Sequence, residues 1–203
     1  MKRPPGQVRI IAGSLRGSRL PVADKAGLRP SSDRVRETLF NWLQGEIPGR
    51  RVLDLFAGSG ALGFEAASRG AAEVLLVEKD AQLAASLRDS VERLHAEVVR
   101  VECADALGWL GRAPDRSFDL AFLDPPFQAG LHAAAAQALQ PWLAPDAWVY
   151  VEQGADAAFT APAGWRLHRE GSTRETRQRL YRVASPGAGT LADIPSKAGI
   201  QLP

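Results

Sequence analysis

The sequence lacks several features that would indicate a secreted, membrane-bound or metal-centred protein. One cysteine in 203 residues excludes a disulfide framework and a cysteine-rich zinc site, and it fits a reducing compartment. The longest stretch without a charged residue, 125–145, contains four prolines, three glutamines and a histidine, so it is not expected to span a membrane. The basic N-terminus is followed by no apolar segment, so nothing there predicts a secretory signal. We therefore expect a cytoplasmic protein.

The side chains that most often bind metals or act as nucleophiles are also sparse. Three histidines, His95, His132 and His168, have no spacing to one another or to Cys103 that would predict a metal site. We expect Cys103 to be a buried small hydrophobic residue rather than a nucleophile. The sequence therefore predicts neither a metal centre nor a cysteine-based reaction.

The composition is that of a globular protein whose charge is unevenly distributed. Hydrophobic residues make up 45% of the chain and charged residues 24%, which is ordinary for one domain with a small appendage. Residues 1–50 carry ten Lys and Arg against four Asp and Glu, whereas residues 51–150 carry eight against fourteen. The basic front suggests an anionic partner. Ordinary solvated faces of helices and strands would also account for the charge alone.

From Arg51 onward, short apolar runs alternate with helical patterns, which is typical of an α/β fold with a parallel sheet. We predict a Rossmann-like, mostly parallel sheet of seven strands whose last strand is antiparallel. The predicted strands are 51–56, 72–78, 98–103, 118–123, 147–153, 165–170 and 178–183. The predicted helices are 61–69, 81–95, 105–110 and 131–143. The last two strands are expected to form an antiparallel pair interrupted at Gly171 and Ser172.

A small N-terminal extension precedes the sheet. Residues 8–12 and 18–22 are apolar pieces around a Gly/Ser/Arg turn and predict a hairpin, and residues 32–44 predict an amphipathic helix. We therefore divide the chain into an extension (1–50), a sheet domain (51–183) and a tail (184–203). The tail has few large apolar residues, so we expect it to be disordered.

Acidic side chains and glycines follow the predicted strands where a cofactor would bind. Asp54 closes the first strand and leads into a turn whose glycines let the backbone approach a ligand closely. Glu78 closes the second strand, where a carboxylate can accept hydrogen bonds from ribose hydroxyls, and Asp105 follows the third, within reach of an adenine amino group. These positions predict a cofactor that contains adenosine. The spacing of Gly58, Gly60 and Gly63 also satisfies a dinucleotide-binding pattern, which is a weak signal by itself.

The segment Asp124-Pro125-Pro126-Phe127 follows the fourth strand and separates the possible chemistries. Two prolines hold the backbone rigid, so an acidic side chain and a fixed carbonyl form two acceptors for a planar NH₂ group. Accepting both N–H bonds favours a more tetrahedral nitrogen that can attack an electrophilic methyl group. Phe127 could stack on the same base. Nicotinamide chemistry requires none of these groups.

Together, the segments Asp54–Gly60 and Asp124–Phe127 resemble the class I S-adenosylmethionine-dependent amino-methyltransferases. The N-terminal segments 9–13, 19–22, 28–30 and 33–43 resemble more specifically the RsmD family of 16S rRNA guanine-N2 methyltransferases, and the match extends over residues 8–183. The resemblance implies a seven-stranded Rossmann-like sheet and S-adenosyl-L-methionine as methyl donor. It also implies that the acceptor is the N2 of guanine 966 in 16S rRNA within the assembled small ribosomal subunit. We expect no metal to take part in the reaction, and we expect the enzyme to be a monomer.

The resemblance assigns residues to two parts of the site, and the charge distribution adds a third. The donor would contact Asp54, Phe56, Ala57, Gly58, Gly60, Glu78, Lys79, Asp105 and Ala106. The catalytic group would consist of Asp124, Pro125 and Phe127, which bind the target base. For the basic front we expect phosphate contacts from Arg16, Arg19, Arg29, Arg34 and Arg36.

Three alternatives remain open on the sequence. The same chemistry could act on adenine N6 of DNA or RNA, because the Asp-Pro-Pro-aromatic segment specifies an amine and not the base. A nicotinamide-dependent oxidoreductase could use Gly58, Gly60, Gly63 and Glu78. The third alternative is a non-enzymatic RNA-binding module that retains an inactive cofactor pocket.

Overall fold

The computed structural model of the chain describes residues 6–22, 33–126 and 129–184. Within these residues, a two-stranded hairpin precedes a seven-stranded sheet. The strands are β1 (Gly6–Arg9), β2 (Arg19–Val22), β3 (Arg51–Asp54), β4 (Glu73–Glu78), β5 (Val99–Cys103), β6 (Phe118–Leu123), β7 (Leu143–Gly154), β8 (Trp165–Ser172) and β9 (Thr176–Val183). The helices are α1 (Asp33–Trp42), α2 (Ala61–Ser68), α3 (Ala81–Leu94), α4 (Ala106–Leu110) and α5 (His132–Leu139).

The large sheet has the strand order β5-β4-β3-β6-β7-β9-β8. Strands β3 to β7 run parallel to one another, and β9 is antiparallel to both of its neighbours. The predicted α/β fold and its antiparallel last strand are therefore confirmed. The order reverses between β3 and β6, and in open α/β sheets the carboxyl ends of the strands at such a point form the ligand crevice.

Apolar side chains alternate between the two faces of the sheet and form two cores. One core joins α1, α2 and α3 to residues such as Val52 and Phe122, and the other joins α4 and α5 to residues such as Leu53 and Ala121. The α1 residues Leu39 and Phe40 belong to the first of these cores. Helix α1 of the N-terminal extension therefore packs in the core of the sheet domain.

The N-terminal extension is attached to α2 through a fully buried carboxylate, Glu65. The backbone N–H groups of Ile11 and Ala12 donate to its two oxygens at 2.7 and 3.0 Å. The guanidinium groups of Arg36 and Arg69 lie 3.7 and 2.8 Å from the same carboxylate. A buried charge is stable only when it is paired and hydrogen-bonded. Glu65 therefore fixes the position of the extension relative to the sheet.

Several local predictions differ from the structure. Strand β3 ends at Asp54 rather than at residue 56, and β7 begins at Leu143 rather than at residue 147. The helix predicted to reach residue 143 ends at Leu139, because Pro141 lies in a 3₁₀ turn that leads directly into β7. The break predicted at Gly171 and Ser172 lies further along, since β8 continues through Ser172. Cys103 is exposed rather than buried, which contradicts its predicted packing role.

Two regions of the predicted organisation are not described. The tail from 185 to 203 and the segment before α1, 23–32, lie outside the described residues. Among the residues that the structure describes, no helix has the length and apolar character needed to cross a membrane.

Candidate active site

Four predicted site carboxylates lie at one edge of the sheet. Asp54 and Glu78 end β3 and β4, and Asp105 and Asp124 follow β5 and β6 within two residues. These four strands are adjacent, in the order β5-β4-β3-β6, and parallel. Their carboxyl ends therefore meet at the same edge, as the sequence predicts. The residues assigned to the donor and to the target base are thus neighbours in the fold.

The turn between β3 and α2 needs glycine for its backbone conformation. Gly58 and Gly60 have φ values of 53° and 76°, in the left-handed region where a Cβ is strained. A Cβ on Gly60 would also lie 2.7 Å from side-chain carbons of Leu87 and Phe64. Ala57 is buried and its N–H donates to the carbonyl of Val77 at 3.0 Å. The turn is consequently held close to the end of β4.

Glu78 links this turn to the end of its own strand. Its Oε2 accepts from the Gly58 N–H at 2.9 Å, and its Oε1 accepts from the Asp80 N–H at 2.8 Å. The side chain is half-buried, and Lys79 beside it is exposed. Each carboxylate oxygen has two lone pairs, so an oxygen that holds a backbone N–H can accept a second donor. This geometry is compatible with the binding of a ribose hydroxyl.

Asp54 is buried behind the glycine turn. Its Oδ2 accepts from the Gly63 N–H in the first turn of α2 at 3.0 Å, and only 2% of the residue is exposed. Burial and, to a smaller extent, the charge of Glu78 raise the pKa of Asp54 to about 7, against the lowering effect of the backbone donors Gly63 and Phe56. Asp54 therefore orients the start of α2, while Phe56 is half-buried in the turn itself.

Asp105 begins α4 and is exposed. Its carboxylate caps the helix by accepting from the Gly108 N–H at 3.1 Å, and the next residue, Ala106, is buried. The cap fixes the side chain at the edge of the sheet beside Glu78. The contact of this residue with an adenine stays a prediction.

The Asp124-Pro125 pair leaves β6 beside Asp54. Phe122 of β6 is paired with Asp54 of β3, so Asp124 lies two residues beyond that pair. Asp124 is half-buried and Pro125 is buried. The third member of the predicted catalytic group, Phe127, lies outside the described residues.

A tyrosine and a glutamate that sequence reasoning missed lie next to Asp124. Leu123 is paired with Val151 of the parallel strand β7, which brings Asp124 beside Glu152. Glu152 is only 3% exposed, and the Tyr150 hydroxyl donates to its Oε2 at 2.9 Å. Burial raises the pKa of Tyr150 well above its usual value, and the charges of Glu152 and Asp124 add to the shift. The signal in the sequence is an acidic residue directly after the apolar run 147–151.

The basic front divides into exposed and buried arginines. Arg16, Arg19 and Arg34 are exposed, as phosphate contacts must be, and Arg29 lies outside the described residues. Arg36 is wrongly predicted as an RNA contact, because it is 0% exposed. Its guanidinium donates to the carbonyl of Arg9 at 2.8 Å and to Asp33 at 2.7 Å. It stabilises the extension instead of facing a partner.

Comparison with known proteins gives close relatives over most of the chain. The model of the family described as conserved hypothetical protein 95 matches residues 8–182. Ribosomal RNA small subunit methyltransferase D of Escherichia coli strain K12 is 43% identical over 194 residues, which is 92% of this chain and 98% of that protein. The protein of the same name from Haemophilus influenzae is 44% identical over 87% of this chain and 94% of its own length.

Solved structures agree with the sequence relatives. The methyltransferase yhhF of Escherichia coli superposes with a TM-score of 0.81 at 43% identity, over 89% of this chain and 99% of that one. The methylase HI0767 of Haemophilus influenzae gives a TM-score of 0.78 at 40% identity, over 89% of this chain and 100% of that one. The chain therefore belongs to the conserved hypothetical protein 95 family, the RsmD family, which includes ribosomal RNA small subunit methyltransferase D.

Proposed function

We propose that this chain methylates the exocyclic N2 of a guanine in 16S rRNA, at position 966, with S-adenosyl-L-methionine as donor. The observation that carries the proposal is that Asp124-Pro125 lies at the same edge of the sheet as Asp54 and Glu78, in a chain with methyltransferase relatives over most of its length. Acceptor and donor groups are thereby brought to the same crevice, as a direct transfer requires.

The residues at this edge fit S-adenosyl-L-methionine by the chemistry of their side chains. Carboxylates suit its ribose hydroxyls, its ammonium group and its adenine amine, and we assign these contacts to Glu78, to the Asp54–Gly60 turn and to Asp105. When bound, the cofactor supplies an electrophilic methyl group on a positively charged sulfur. The glycine turn keeps side chains away from this region, and the carboxylates supply its negative charge.

Asp124 and the Pro125 carbonyl are assigned to the amine of the target base. Two acceptors on one NH₂ group orient its nitrogen and reduce the delocalisation of its lone pair into the ring. Phe127, outside the described residues, is assigned to stacking on the base. Catalysis on this scheme comes mainly from orientation and from exclusion of water.

The exposed arginines Arg16, Arg19 and Arg34, together with Arg29, are assigned to RNA phosphates. The names of the curated relatives support a ribosomal RNA of the small subunit as partner. We propose that the substrate is the assembled small ribosomal subunit, that the enzyme acts as a monomer, and that it works in the cytoplasm. The acidic region 51–150 would repel RNA phosphates, and the positive charge of the basic extension offsets this repulsion.

The cofactor and the substrate are tested together. Isothermal titration is expected to show binding of S-adenosylhomocysteine and none of NAD⁺. Tritiated methyl groups are then expected to enter guanine N2 of small ribosomal subunits from a strain that lacks the gene. Label in adenine would show that the chain methylates the amine of another base. Binding of NAD⁺ alone would contradict the proposal.

Replacing the acceptor carboxylate tests the assigned chemistry. We expect Asp124→Ala to lower kcat by about 10²-fold or more, because one transition-state contact is lost, with unchanged affinity for S-adenosylhomocysteine. Asp89→Ala, on an exposed position of α3, is the matched control and should retain wild-type turnover. Wild-type turnover in Asp124→Ala would show that this carboxylate does not bind the amine.

A further inference from the structure

Glu152 lies beside Asp124 on the same face of the sheet. Strands β6 and β7 run parallel with Phe122 paired to Tyr150 and Leu123 paired to Val151, so positions 124 and 152 come next in register. Adjacent strands are about 4.8 Å apart, and side chains two residues apart share a face. The rings of Phe122 and Tyr150 already meet on this face, with their centroids 6.3 Å apart. The register therefore brings two carboxylates together where the target base is expected.

The Glu152 carboxylate is held in a fixed orientation. The Tyr150 hydroxyl donates to its Oε2 at 2.9 Å, and the Glu152 backbone carbonyl lies 2.8 Å from Nε2 of the buried His132. A carboxylate oxygen has two lone pairs, so it can accept a second donor beside the tyrosine hydroxyl. At 3% exposure, water competes little for this carboxylate. A ligand atom that donates a hydrogen bond to this carboxylate is therefore strongly favoured over a ligand atom that can only accept one.

The Watson–Crick edge of guanine presents two adjacent donors, N1–H and the N2 amine, whereas adenine presents its amine beside an N1 acceptor. We propose that Glu152 accepts the N1–H of the guanine whose N2 amine is bound by Asp124, and so selects guanine among bases that carry an exocyclic amine. In a base with an unprotonated N1, the N1 lone pair would face the carboxylate and be repelled by it. This inference rests on the proposed function and adds to it the residue that determines the base.

The experiment changes the carboxylate on the protein side of the contact and, on the base side, the N1–H together with the O6 carbonyl. Small ribosomal subunits are reconstituted on ligated 16S rRNA that carries either guanine or 2-aminopurine at the target, since 2-aminopurine keeps the amine but has an acceptor at N1. The wild type should prefer guanine by on the order of 10²-fold or more in kcat/KM. Glu152→Gln should reduce the preference to about tenfold or less, because an amide can donate to N1 or accept from N1–H.

The matched control is Tyr150→Phe, which perturbs the same buried pair and leaves the carboxylate in place. It should lower turnover on both substrates alike and keep the wild-type preference for guanine. Titration with S-adenosylhomocysteine checks that all three proteins are folded. If turnover of Glu152→Gln is too slow to measure, the same ratio is taken from the affinities of the two subunits in the presence of S-adenosylhomocysteine.

An unchanged preference in Glu152→Gln, or a wild type that does not distinguish the two bases, would overturn the role of Glu152 while leaving the proposed function intact. Absence of label from the wild type on the guanine-containing subunits would overturn both. A merely structural role of Glu152 would lower activity on both substrates without changing their ratio, so this outcome also contradicts the inference.

Discussion

The buried carboxyl group of Asp54 orients the start of α2, and its protonation is linked to the folding of the protein. Its pKa of about 7 arises from burial and from the nearby charge of Glu78, which together outweigh the backbone donors. In the unfolded chain the same group titrates near 3.8, so between about pH 4 and pH 7 the folded protein binds a proton that the unfolded chain releases. The stabilising contribution of this proton is complete below about pH 4 and is lost as pH rises to about 7.

This linkage predicts a pH-dependent effect of Asp54→Asn. The wild type should lose up to about 1.4 kcal/mol of unfolding free energy per pH unit relative to the variant between pH 5 and 7, and the difference should be constant above about pH 8. Urea denaturation of both proteins at several pH values measures it. The same difference at every pH would show that Asp54 titrates normally in the folded protein.

At the scale of elements, the junction between β3 and α2 depends on one close approach of helix to sheet. Gly63 lies in the first turn of α2, where its N–H donates to Asp54. A Cβ there would overlap with Cδ2 of Leu76 and lie 3.3 Å from the Asp54 carboxylate. Gly63 is therefore a packing glycine, and its place in the dinucleotide-binding pattern needs no nicotinamide cofactor to explain it.

Two glycine-to-alanine changes in helices should have opposite effects. Gly63→Ala is expected to lower the free energy of unfolding by about 1–3 kcal/mol, because the methyl group forces α2 away from β4. In Gly108→Ala the added Cβ would lie 3.7 Å from its nearest neighbour, Oδ2 of Asp105, which is an ordinary contact distance. This variant should therefore raise the free energy of unfolding by about 0.5 kcal/mol. Chemical denaturation measures both. Equal effects of the two changes would contradict the close-packing argument.

At the scale of the whole molecule, the hairpin of the basic extension is held against one helix of the acidic sheet domain. The helix α2 begins at the glycine turn of the site and carries Glu65, which holds the backbone of Ile11 and Ala12. Gly13 continues this contact, since a Cβ on it would overlap with the carbonyl of Ser68. The exposed arginines of the extension are in this way held in a fixed position relative to the site.

Removing the exposed charges of the extension should change RNA binding and its salt dependence. For the triple variant Arg16→Gln, Arg19→Gln and Arg34→Gln, we expect weaker binding to small ribosomal subunits. The log–log salt slope should fall by about 2–3, since each lost phosphate contact removes about 0.7–0.9. Arg50→Gln is the control, because Arg50 pairs with Glu46 and Asp119 near the amino end of β3. An unchanged slope in the triple variant would show that the extension does not bind phosphates.

Local patterns in the sequence were sufficient for the elements and for the edge on which the site lies. The strand from Phe118 to Leu123 and the placement of Asp54, Glu78 and Asp124 at strand ends followed from apolar periodicity and turn residues, because these are properties of neighbouring positions. The end of α5 and the start of β7 were misjudged, since Ala-rich helical propensity does not reveal the 3₁₀ turn around Pro141. Propensity is a weak guide where tertiary contacts determine the boundary.

By itself, the sequence determined the α/β class, the order of the elements and the residue types available at the carboxyl edge. Only the tertiary structure decided which charges face outward: Arg34 and Arg36 are two residues apart on α1, yet one is exposed and the other is fully buried against Glu65. It also placed Glu152 beside Asp124, through the register of two strands separated by a helix. Burial and register depend on contacts between residues distant in the chain, which a local sequence pattern does not predict.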